Sequence, residues 1–390
     1  IFDLTADGDG EVQNFDYCNP TKVIFGRNTI GRIGSEIKAH GLKKVLLIAG
    51  AGSIKSNDVY DQIVKSLQGA GIEWVEAWGV QANPVLSKVR EMIALARRSE
   101  VEGVLAVGGG SVIDSGKSVA VGVHAGDVWE QYEKRFVDVP ALPLFTVLTI
   151  SASGSEFDPF AVLTNEGEKK KWLLACPSLF PKVSIIDPSV QASLPWHQIV
   201  NGAVDAISHL MEAYVTAGDA EVTLALDESL MRTIIAMTDR LQKSREDYDA
   251  QASLAWAASL ALSGIQNAGV SFGDFASHGI EHGISAIRPE IAHGAGLGVV
   301  LPAWIDYCHG AKPELFRRWA KNVWDADSIE GGVAAFRKKI QSWGNPVTLR
   351  ELGLQEDQIP AIAANAVEFG LTGMVKVLSD EDIRAILRSA

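Results

Sequence analysis

The chain has 390 residues, of which 47 % are hydrophobic and 21 % are charged, a composition typical of a globular protein with room for two domains. Its formal net charge of −13 argues against nucleic acid or an anionic membrane surface as the main partner, because either favours a basic face. The cysteines Cys18, Cys176 and Cys308 are widely spaced and form no CxxC pair, which predicts a reduced, cytoplasmic protein. We find neither a signal-peptide pattern nor an apolar run of about 18 residues, so we expect neither secretion nor a membrane span.

Up to about residue 187, short β-rich apolar runs alternate with amphipathic stretches. In chain order, alternating strands and helices, beginning with a strand, are predicted at Lys43–Ala49, Val59–Gly69, Glu73–Ala77, Ser87–Ser99, Gly103–Val107, Ser111–Val121 and Leu144–Leu148. Such alternation means right-handed crossovers and a doubly wound parallel sheet. Ligands of these sheets bind in the loops beyond the carboxyl ends of the strands.

After about residue 189 the patterning is helical almost throughout. Helices are predicted at Pro195–Thr216, Ala220–Leu241, Tyr248–Ala268, Phe272–Ala286, Gly296–His309, Ser328–Ser342, Glu356–Glu368 and Ser379–Arg388. The last begins with a serine followed by acids, which is typical of a helix N-cap. We therefore predict an α/β domain over residues 1–187 and an all-helical domain over 188–390, meeting at the turn Asp187-Pro188.

A run of three glycines, Gly108–Gly110, lies between a predicted strand and the helix that begins at Ser111. Residues without Cβ let backbone amides approach an anion at a helix N-terminus, which suits a pyrophosphate. The spacing excludes a P-loop, because Gly116-Lys117-Ser118 would form its end and Ser111 stands where its first glycine is required, and Ile113 breaks the G-x-G-x-x-G pattern. A tight strand–helix turn without a ligand is the alternative.

A second glycine loop, Gly50–Ser53, ends the first strong strand. Proteins specific for NAD usually place an acid near such a strand end, yet no Asp or Glu occurs before Asp58. Ser53 and Lys55 instead offer a hydroxyl and a cation, which suit a 2′-phosphate and favour NADP(H) over NAD(H). The alternative for Lys55 is a solvated surface charge.

A third loop, Thr149–Glu156, follows the strand Leu144–Leu148 and is rich in small hydroxyl side chains. Such residues can contact cofactor phosphate, ribose or base, and they are equally common in ordinary turns.

One acid and several histidines share helix faces in the second half of the chain. Asp205 and His209 are four residues apart, His278 and His282 repeat that spacing, and His293 follows in a predicted glycine-flanked turn. One carboxylate and three neutral imidazoles suit Fe²⁺ or Zn²⁺, which acts as a Lewis acid on a carbonyl oxygen. A single helical histidine is usually a core or surface residue, so the prediction of a metal site depends on the i, i+4 spacing that occurs in both pairs.

Taken in this order, these segments resemble the iron-containing (group III) alcohol dehydrogenase family over nearly the whole chain. The matching segments are Asn83-Pro84, Gly108–Ser111 with Asp114, Thr149–Glu156, Lys171, Asp187-Pro188, Asp205 with His209, His278 with His282, and His293. The stretches GAGSIKSNDVYDQIV and NGAVDAISHLMEAYVT are most similar to the NADPH-dependent butanol dehydrogenase and aldehyde reductase branch.

The resemblance implies a dehydroquinate synthase-like fold, with a dinucleotide-binding domain, an all-helical metal-binding domain and the active site in the cleft between them. It implies Fe²⁺, with Zn²⁺ or another divalent ion as a substitute, held by Asp205, His209, His278 and His293. Cofactor binding is expected at Gly50, Gly52, Ser53, Lys55, Asn83, Gly109, Gly110, Ser111, Asp114, Thr149, Ser151 and Lys171. His282 is the candidate proton relay.

The implied reaction is hydride transfer between NADP(H) and a small alcohol or aldehyde, by a protein that we expect to be a homodimer. The sequence departs from many members of the family at Ile150 and Ser153, within the third loop. It also has Asp158 and Phe160 where many relatives carry small polar residues near the nicotinamide.

Parts of the sequence are also compatible with two other functions. His278, Glu281 and His282 match H-x-x-E-H, a zinc-protease pattern in which Glu281 is the general base. This hypothesis leaves the glycine loops and the Asp205/His209 pair without roles. A nucleotide-binding protein without catalysis is the other alternative, and an intact ligand set argues against it.

Overall fold

The computed structural model describes residues 11–390, which group into two compact units. The sheet unit comprises Asn19–Leu194 and Ser244–Ala255. The helical unit comprises Pro195–Lys243, Trp256–Ala390 and residues 11–18. The predicted domain boundary at residues 187 and 188 stays a prediction, and the compact units divide seven residues later.

The sheet unit contains a six-stranded parallel sheet and a separate hairpin. The strands are β1 (Lys22–Phe25), β2 (Lys44–Ala49), β3 (Glu73–Ala77), β4 (Gly103–Gly108), β5 (Leu144–Leu148), β6 (Phe160–Asn165), β7 (Lys170–Ala175) and β8 (Val183–Ile186). The order in the sheet is β1-β8-β5-β4-β2-β3, and β6 pairs with β7 antiparallel. The predicted doubly wound parallel sheet is therefore confirmed. Four of its strands match the prediction, whereas β1, β6, β7 and β8 were missed.

Helices connect the strands of this unit. They are α1 (Ile33–Ala39), α2 (Ser53–Ser56), α3 (Val59–Ala70), α4 (Leu86–Arg98), α5 (Gly110–Gly122) and α6 (Trp129–Lys134). Alternate residues of β2 enter two different cores: Leu46 and Ile48 pack with α4 and α5, whereas Val45 and Leu47 pack with α1 and α3. Because both faces are covered, the strand is a continuous apolar run instead of an alternating one.

The strand order creates a switch point between β2 and β4. From β2 the chain moves outward to β3, and it then returns to the other side of β2 to form β4. Ligands of doubly wound sheets bind at the carboxyl ends of the strands that flank such a point. The loops Gly50–Ser53 and Gly109–Ser111 follow these two strands.

The helical unit contains most of the second half of the chain. Its helices, with one that begins in the sheet unit, are α7 (Trp196–Tyr214), α8 (Glu221–Lys243), α9 (Tyr248–Leu260), α10 (Ala276–Ile287), α11 (His293–Cys308), α12 (Pro313–Trp324), α13 (Ile329–Ser342), α14 (Ile359–Phe369) and α15 (Asp380–Ser389). Single-turn 3₁₀ segments lie at Ile30–Arg32, Ser155–Phe157, Pro177–Leu179, Ile265–Asn267, His309–Ala311 and Glu356–Gln358, with a longer one at Pro188–Ser193. Within residues 11–390, no helix is both long enough and apolar enough to span a membrane.

Three predicted helix boundaries were wrong. The helix expected to reach Ala268 ends at Leu260. The helix expected from Phe272 begins at Ala276, because Phe275 has a φ of +52° and cannot continue a right-handed helix. His293, expected in a turn, is the first residue of α11.

Candidate metal centre and cofactor loops

Three helices bring the four proposed metal ligands together. Asp205 and His209 lie one turn apart on α7, His278 lies on α10, and His293 begins α11. The Nε2 atoms of the three imidazoles lie 3.7, 3.5 and 3.6 Å, in chain order, from Oδ1 of Asp205. These separations are too long for hydrogen bonds. They match the distance of about 3.4 Å between two ligands that share one tetrahedral ion at about 2.1 Å.

Burial makes this arrangement costly for the protein alone. The side chains of Asp205, His209 and His278 are 5 to 7 % exposed, and that of His293 is 25 % exposed. Among the described residues, Oδ1 of Asp205 and Nε2 of His278 have no hydrogen-bond partner. Buried polar atoms are normally paired, so two unpaired atoms that face each other fit a cation between them.

A carboxylate orients the His278 ring from behind. The Nδ1 atom of His278 contacts the carboxylate of the fully buried Glu212. The same carboxylate accepts from the Ser277 hydroxyl at 2.6 Å and from the backbone N–H of His278 at 3.1 Å. A proton held on Nδ1 leaves the Nε2 lone pair for the metal, the outer-shell arrangement of metal-binding histidines. The sequence analysis missed Glu212.

His293 has an equivalent partner. Its Nδ1 atom contacts the carboxylate of the fully buried Glu281, which also accepts from the Ser285 hydroxyl. Glu281 is the residue that the zinc-protease alternative requires as a general base. Because its carboxylate is engaged by His293 and Ser285, the geometry does not support that alternative.

Electrostatics favour the ligating forms of two residues. Burial opposes ionisation of Asp205, but the charges of His209, His293 and His278 hold its pKa well below its usual range. Burial lowers the pKa of His209 to about 4, so this ring is neutral near pH 7. Burial also disfavours the charged form of His278, but Glu212 outweighs it and raises the pKa of that ring to about 10. Metal binding must therefore displace a proton from His278.

His282 lies one turn beyond His278 on α10. Its ring is stacked on Phe369 of α14 with centroids 5.0 Å apart, and its centroid is 5.6 Å from that of His293. Ligand atoms of Glu281, His282 and His293 lie within 4.8 Å of one another. The ring is thus beside the four-residue cluster.

In the sheet unit, the loops after β4 and β5 are in direct contact. The backbone N–H of Thr149 donates to the carbonyl of Gly108 at 3.0 Å. A Cβ at Gly110 would lie 2.4 Å from Oγ of Ser153, and one at Gly109 would lie 3.2 Å from Cβ of Ile150. The two glycines therefore let these loops approach closely, and the two residues that depart from the family pattern are the ones that fill this contact.

Other candidate cofactor residues have internal partners. The Asp114 carboxylate accepts from the Ser155 hydroxyl at 2.6 Å and from the backbone N–H of Val162 at 3.1 Å, which connects α5 to β6. The Ser151 hydroxyl accepts from the Gln191 amide at 2.9 Å. Two more candidates are buried: Lys171, on β7, and Asn83, which has a φ of +54° in the loop after β3.

A buried ion pair lies next to these residues. Nζ of Lys117, on α5, is 2.7 Å from the Asp158 carboxylate and 2.7 Å from the carbonyl of Phe160. Both charged side chains are almost completely buried. The pair fixes Asp158 and Phe160, and no motif in the sequence predicts it.

The loop after β2 carries the residues proposed for the 2′-phosphate. Ser53 begins α2, and Nζ of Lys55 lies 4.1 Å from the ring centroid of Trp78. The Glu76 carboxylate accepts from the Trp78 indole at 2.7 Å and from the Tyr60 hydroxyl at 2.6 Å. Glu76 was missed, although it stands near the end of the strand after the glycine loop, where dinucleotide folds often place an acid. Two glycines of this loop are also candidate cofactor residues. The carbonyl of Gly50 accepts a hydrogen bond from the backbone N–H of Gly79, and Gly52 has a φ of +125°.

Comparisons with known proteins agree with this architecture. Residues 20–188 match the model of the iron-containing alcohol dehydrogenases, and residues 199–390 match that of the C-terminal region of the Fe-containing alcohol dehydrogenase family. A probable NADH-dependent butanol dehydrogenase of Bacillus subtilis is 36 % identical, over 97 % of this chain and 100 % of the relative. The NADPH-dependent aldehyde reductase YqhD of Escherichia coli is 32 % identical, over 93 % and 95 %. The crystal structure of NADH-dependent butanol dehydrogenase A from Thermotoga maritima is 46 % identical and superposes with a TM-score of 0.95, over 97 % of this chain and 98 % of that one.

The fold and the family match place the chain in a class of nicotinamide-dependent oxidoreductases that use a divalent metal. The chain belongs to the iron-containing alcohol dehydrogenase family, and it is an oxidoreductase of alcohols and aldehydes.

Proposed function

We propose that this protein interconverts a broad range of small aldehydes and alcohols, with NADP(H) in preference to NAD(H). The observation that carries the proposal is the convergence of three imidazole nitrogens on one buried carboxylate oxygen at 3.5 to 3.7 Å. Such a centre without thiolates suits Fe²⁺, Zn²⁺ and related divalent ions. Fe²⁺ is the proposed native ion, on the strength of the family.

The proposed ligands are Asp205, His209, His278 and His293. A divalent ion held there would polarise the carbonyl group, and a bound nicotinamide would supply the hydride. The protein holds the ligand atoms in position before the ion binds, because Glu212 and Glu281 fix the His278 and His293 rings. The substrate oxygen would be a further ligand, beyond the four from the protein.

The proposed proton relay is His282. Its stacking on Phe369 holds the ring beside the ligand cluster, one helical turn from His278. A ring in this position can donate a proton in aldehyde reduction and accept one in alcohol oxidation. As a fifth protein ligand, His282 would occupy a position that the substrate oxygen would otherwise take.

The proposed cofactor site lies at the switch point of the sheet. The contacting loops after β4 and β5 and the loop after β2 supply most of the residues, which are Gly50, Gly52, Ser53, Lys55, Asn83, Gly109, Gly110, Ser111, Asp114, Thr149, Ser151 and Lys171. The helix α5 begins at Gly110, and the N–H groups at a helix N-terminus would favour a pyrophosphate there.

The preference for NADP(H) depends on Lys55 and Ser53. The relatives do not decide it, because the Bacillus and Thermotoga proteins are named for NADH and the Escherichia protein for NADPH. A cation on α2, the short helix after β2, favours a 2′-phosphate. Glu76 opposes it, although its charge is shared among Tyr60, Trp74 and Trp78. The cytoplasmic location and the homodimer also stay predictions.

Aldehyde-dependent oxidation of NADPH, measured together with bound metal, tests the proposal. Wild-type protein should reduce short aldehydes. His209→Ala and His278→Ala should lose both turnover and most of the bound ion while keeping the circular dichroism spectrum of the wild type. His309→Ala, a histidine of the same unit outside the cluster, is the matched control. Turnover retained in either ligand variant would contradict the assignment.

A further inference from the structure

A buried carboxylate lies just before the helix that carries His278. Asp274 is 3 % exposed and precedes α10 by two residues. Its Oδ1 atom accepts from the backbone N–H of Ala276 at 3.1 Å. Its Oδ2 atom accepts from the backbone N–H groups of Met374 and Val375, both at 2.7 Å. One side chain therefore joins the first turn of α10 to a loop 100 residues later in the chain.

The same residue is also connected to the carboxylate behind His278. The backbone N–H of Asp274 donates to the carbonyl of Glu212 at 2.9 Å. Glu212 is the residue whose carboxylate holds Nδ1 of His278. Asp274 thus connects three segments around one ligand: the loop after α14, the start of α10 and the C-terminal part of α7.

A glycine face on α10 makes the contact with α14 and its loop very close. A Cβ at Gly279 would lie 2.2 Å from the carbonyl oxygen of Leu371, and one at Gly283 would lie 2.6 Å from that of Ile362. These glycines follow His278 and His282 by one residue each. The rotation of α10 about its axis is therefore fixed by backbone contact on the face next to its histidines.

We propose that Asp274 is a positioning residue of the metal centre. It clamps the loop around Met374 and Val375 against α10 and so sets where Nε2 of His278 meets the ion. The inference rests on the proposed metal site, and it goes beyond that proposal by assigning retention of the ion to a residue that does not ligate it.

A merely structural role makes a different prediction. If Asp274 contributed only to folding, its loss would lower the unfolding temperature and leave the dissociation rate of the ion from folded protein unchanged. If it positions His278, the ion should leave faster from protein that is still folded. Removal of outer-shell support typically weakens metal binding by about 10- to 100-fold.

The test uses full-length protein loaded with Zn²⁺ and the rate at which excess chelator removes the ion. Asp274→Ala removes all three hydrogen bonds and should speed dissociation by about tenfold or more. Asp274→Asn keeps one oxygen for Met374 and Val375 and should have a smaller effect. Asp239→Asn is the matched control, because Asp239 also accepts two side-chain bonds in this unit, from Lys339 and Trp343.

A second pair of variants tests the same idea through different atoms. Gly279→Ala displaces α10 from the Leu371 carbonyl and should also speed dissociation. Gly332→Ala introduces a similar clash, 2.7 Å from Cβ of Ala320, far along the chain from the ligands, and should not. Rates for Asp274→Ala and Gly279→Ala within twofold of their controls would overturn the inference alone. Failure of wild-type protein to bind one Zn²⁺ per chain would overturn the metal site and this inference together.

Discussion

Replacing Glu212 by glutamine inverts one hydrogen bond behind the metal centre while preserving shape. The oxygen Oε1 of Glu212 accepts from the Ser277 hydroxyl and from the backbone N–H of His278. Glutamine can keep an oxygen there, but it then presents an N–H to Nδ1 of His278. Since two donors cannot share this contact, the ring must carry its proton on Nε2, the atom that has to ligate.

The expected loss follows from this change of tautomer. Outer-shell substitutions of this kind weaken metal binding by about 10- to 100-fold, which corresponds to roughly 1.4 to 2.7 kcal/mol. Competition between the protein and a chromogenic chelator for Zn²⁺ measures it. Glu228→Gln is the matched control, because Glu228 is also buried and accepts from Tyr214 at 2.9 Å and Arg318 at 2.7 Å. We expect less than a threefold change for the control.

The reasoning would be refuted if Glu212→Gln bound Zn²⁺ as tightly as the wild type. In that case the Glu212 contact would not determine the tautomer of His278. A loss of affinity of equal size in Glu228→Gln would also refute it, because the effect would then report general destabilisation of the unit.

Three further predictions concern the proton relay, the cofactor and the core. His282→Ala should keep its metal content near that of the wild type and lower kcat by ~10²-fold, and loss of the metal would make His282 a ligand. The wild type should favour NADPH over NADH by about tenfold or more in kcat/KM, which corresponds to roughly 1.4 kcal/mol. Gly50→Asp or Ala51→Asp should reduce or reverse this ratio. Equal use of both cofactors by the wild type would contradict the 2′-phosphate site. Asp227 is fully buried without a partner for either carboxylate oxygen among the described residues, and burial, followed by the charge of Glu228, raises its pKa well above its usual value. Its destabilising effect is therefore absent below the unfolded pKa and grows as the pH rises toward the folded pKa. Asp227→Asn should stabilise the protein by about 1–3 kcal/mol in chemical denaturation at pH 8, and it should not stabilise it at pH 3.5. An unchanged denaturation midpoint at pH 8, or an equal gain from the exposed Asp138→Asn, would count against this prediction.

The central strands were predictable because each is a run of apolar residues buried on both faces. The edge strand β1 and the short β8 lack this signal. Each has four residues, β1 is partly exposed, and β8 carries Ser184, whose hydroxyl bonds to Thr146 and to the carbonyl of Glu156. A polar residue satisfied by distant partners cannot be recognised as a core position from the local pattern.

The helix α12 was missed although its signal was present. Phe316, Trp319 and Ala320 are its buried residues, at the i, i+3, i+4 spacing of an apolar helix face, and Pro313 opens it. The local pattern alone is therefore sufficient to predict this helix. The wrong ends of α9 and α10 differ in kind, because they depend on backbone conformations such as that of Phe275.

For the metal centre, the i, i+4 spacing was enough to propose Asp205 with His209, but the outer carboxylates had no such motif. Glu212 is three residues after His209 and seven after Asp205, so helical geometry places it on the same face of α7. That it bonds to His278 depends on the packing of α10, which the spacing along α7 does not contain. Glu281 was noticed only as part of a protease pattern, and its contact with His293 depends on where α11 begins.

Titration of rigorously metal-free protein with Fe²⁺ or Zn²⁺, followed by aldehyde-dependent oxidation of NADPH, tests the central claim most directly. We predict no turnover without metal, a rise in activity that ends at one ion per chain, and no such rise in His278→Ala. Full turnover in the metal-free wild-type protein would contradict the account.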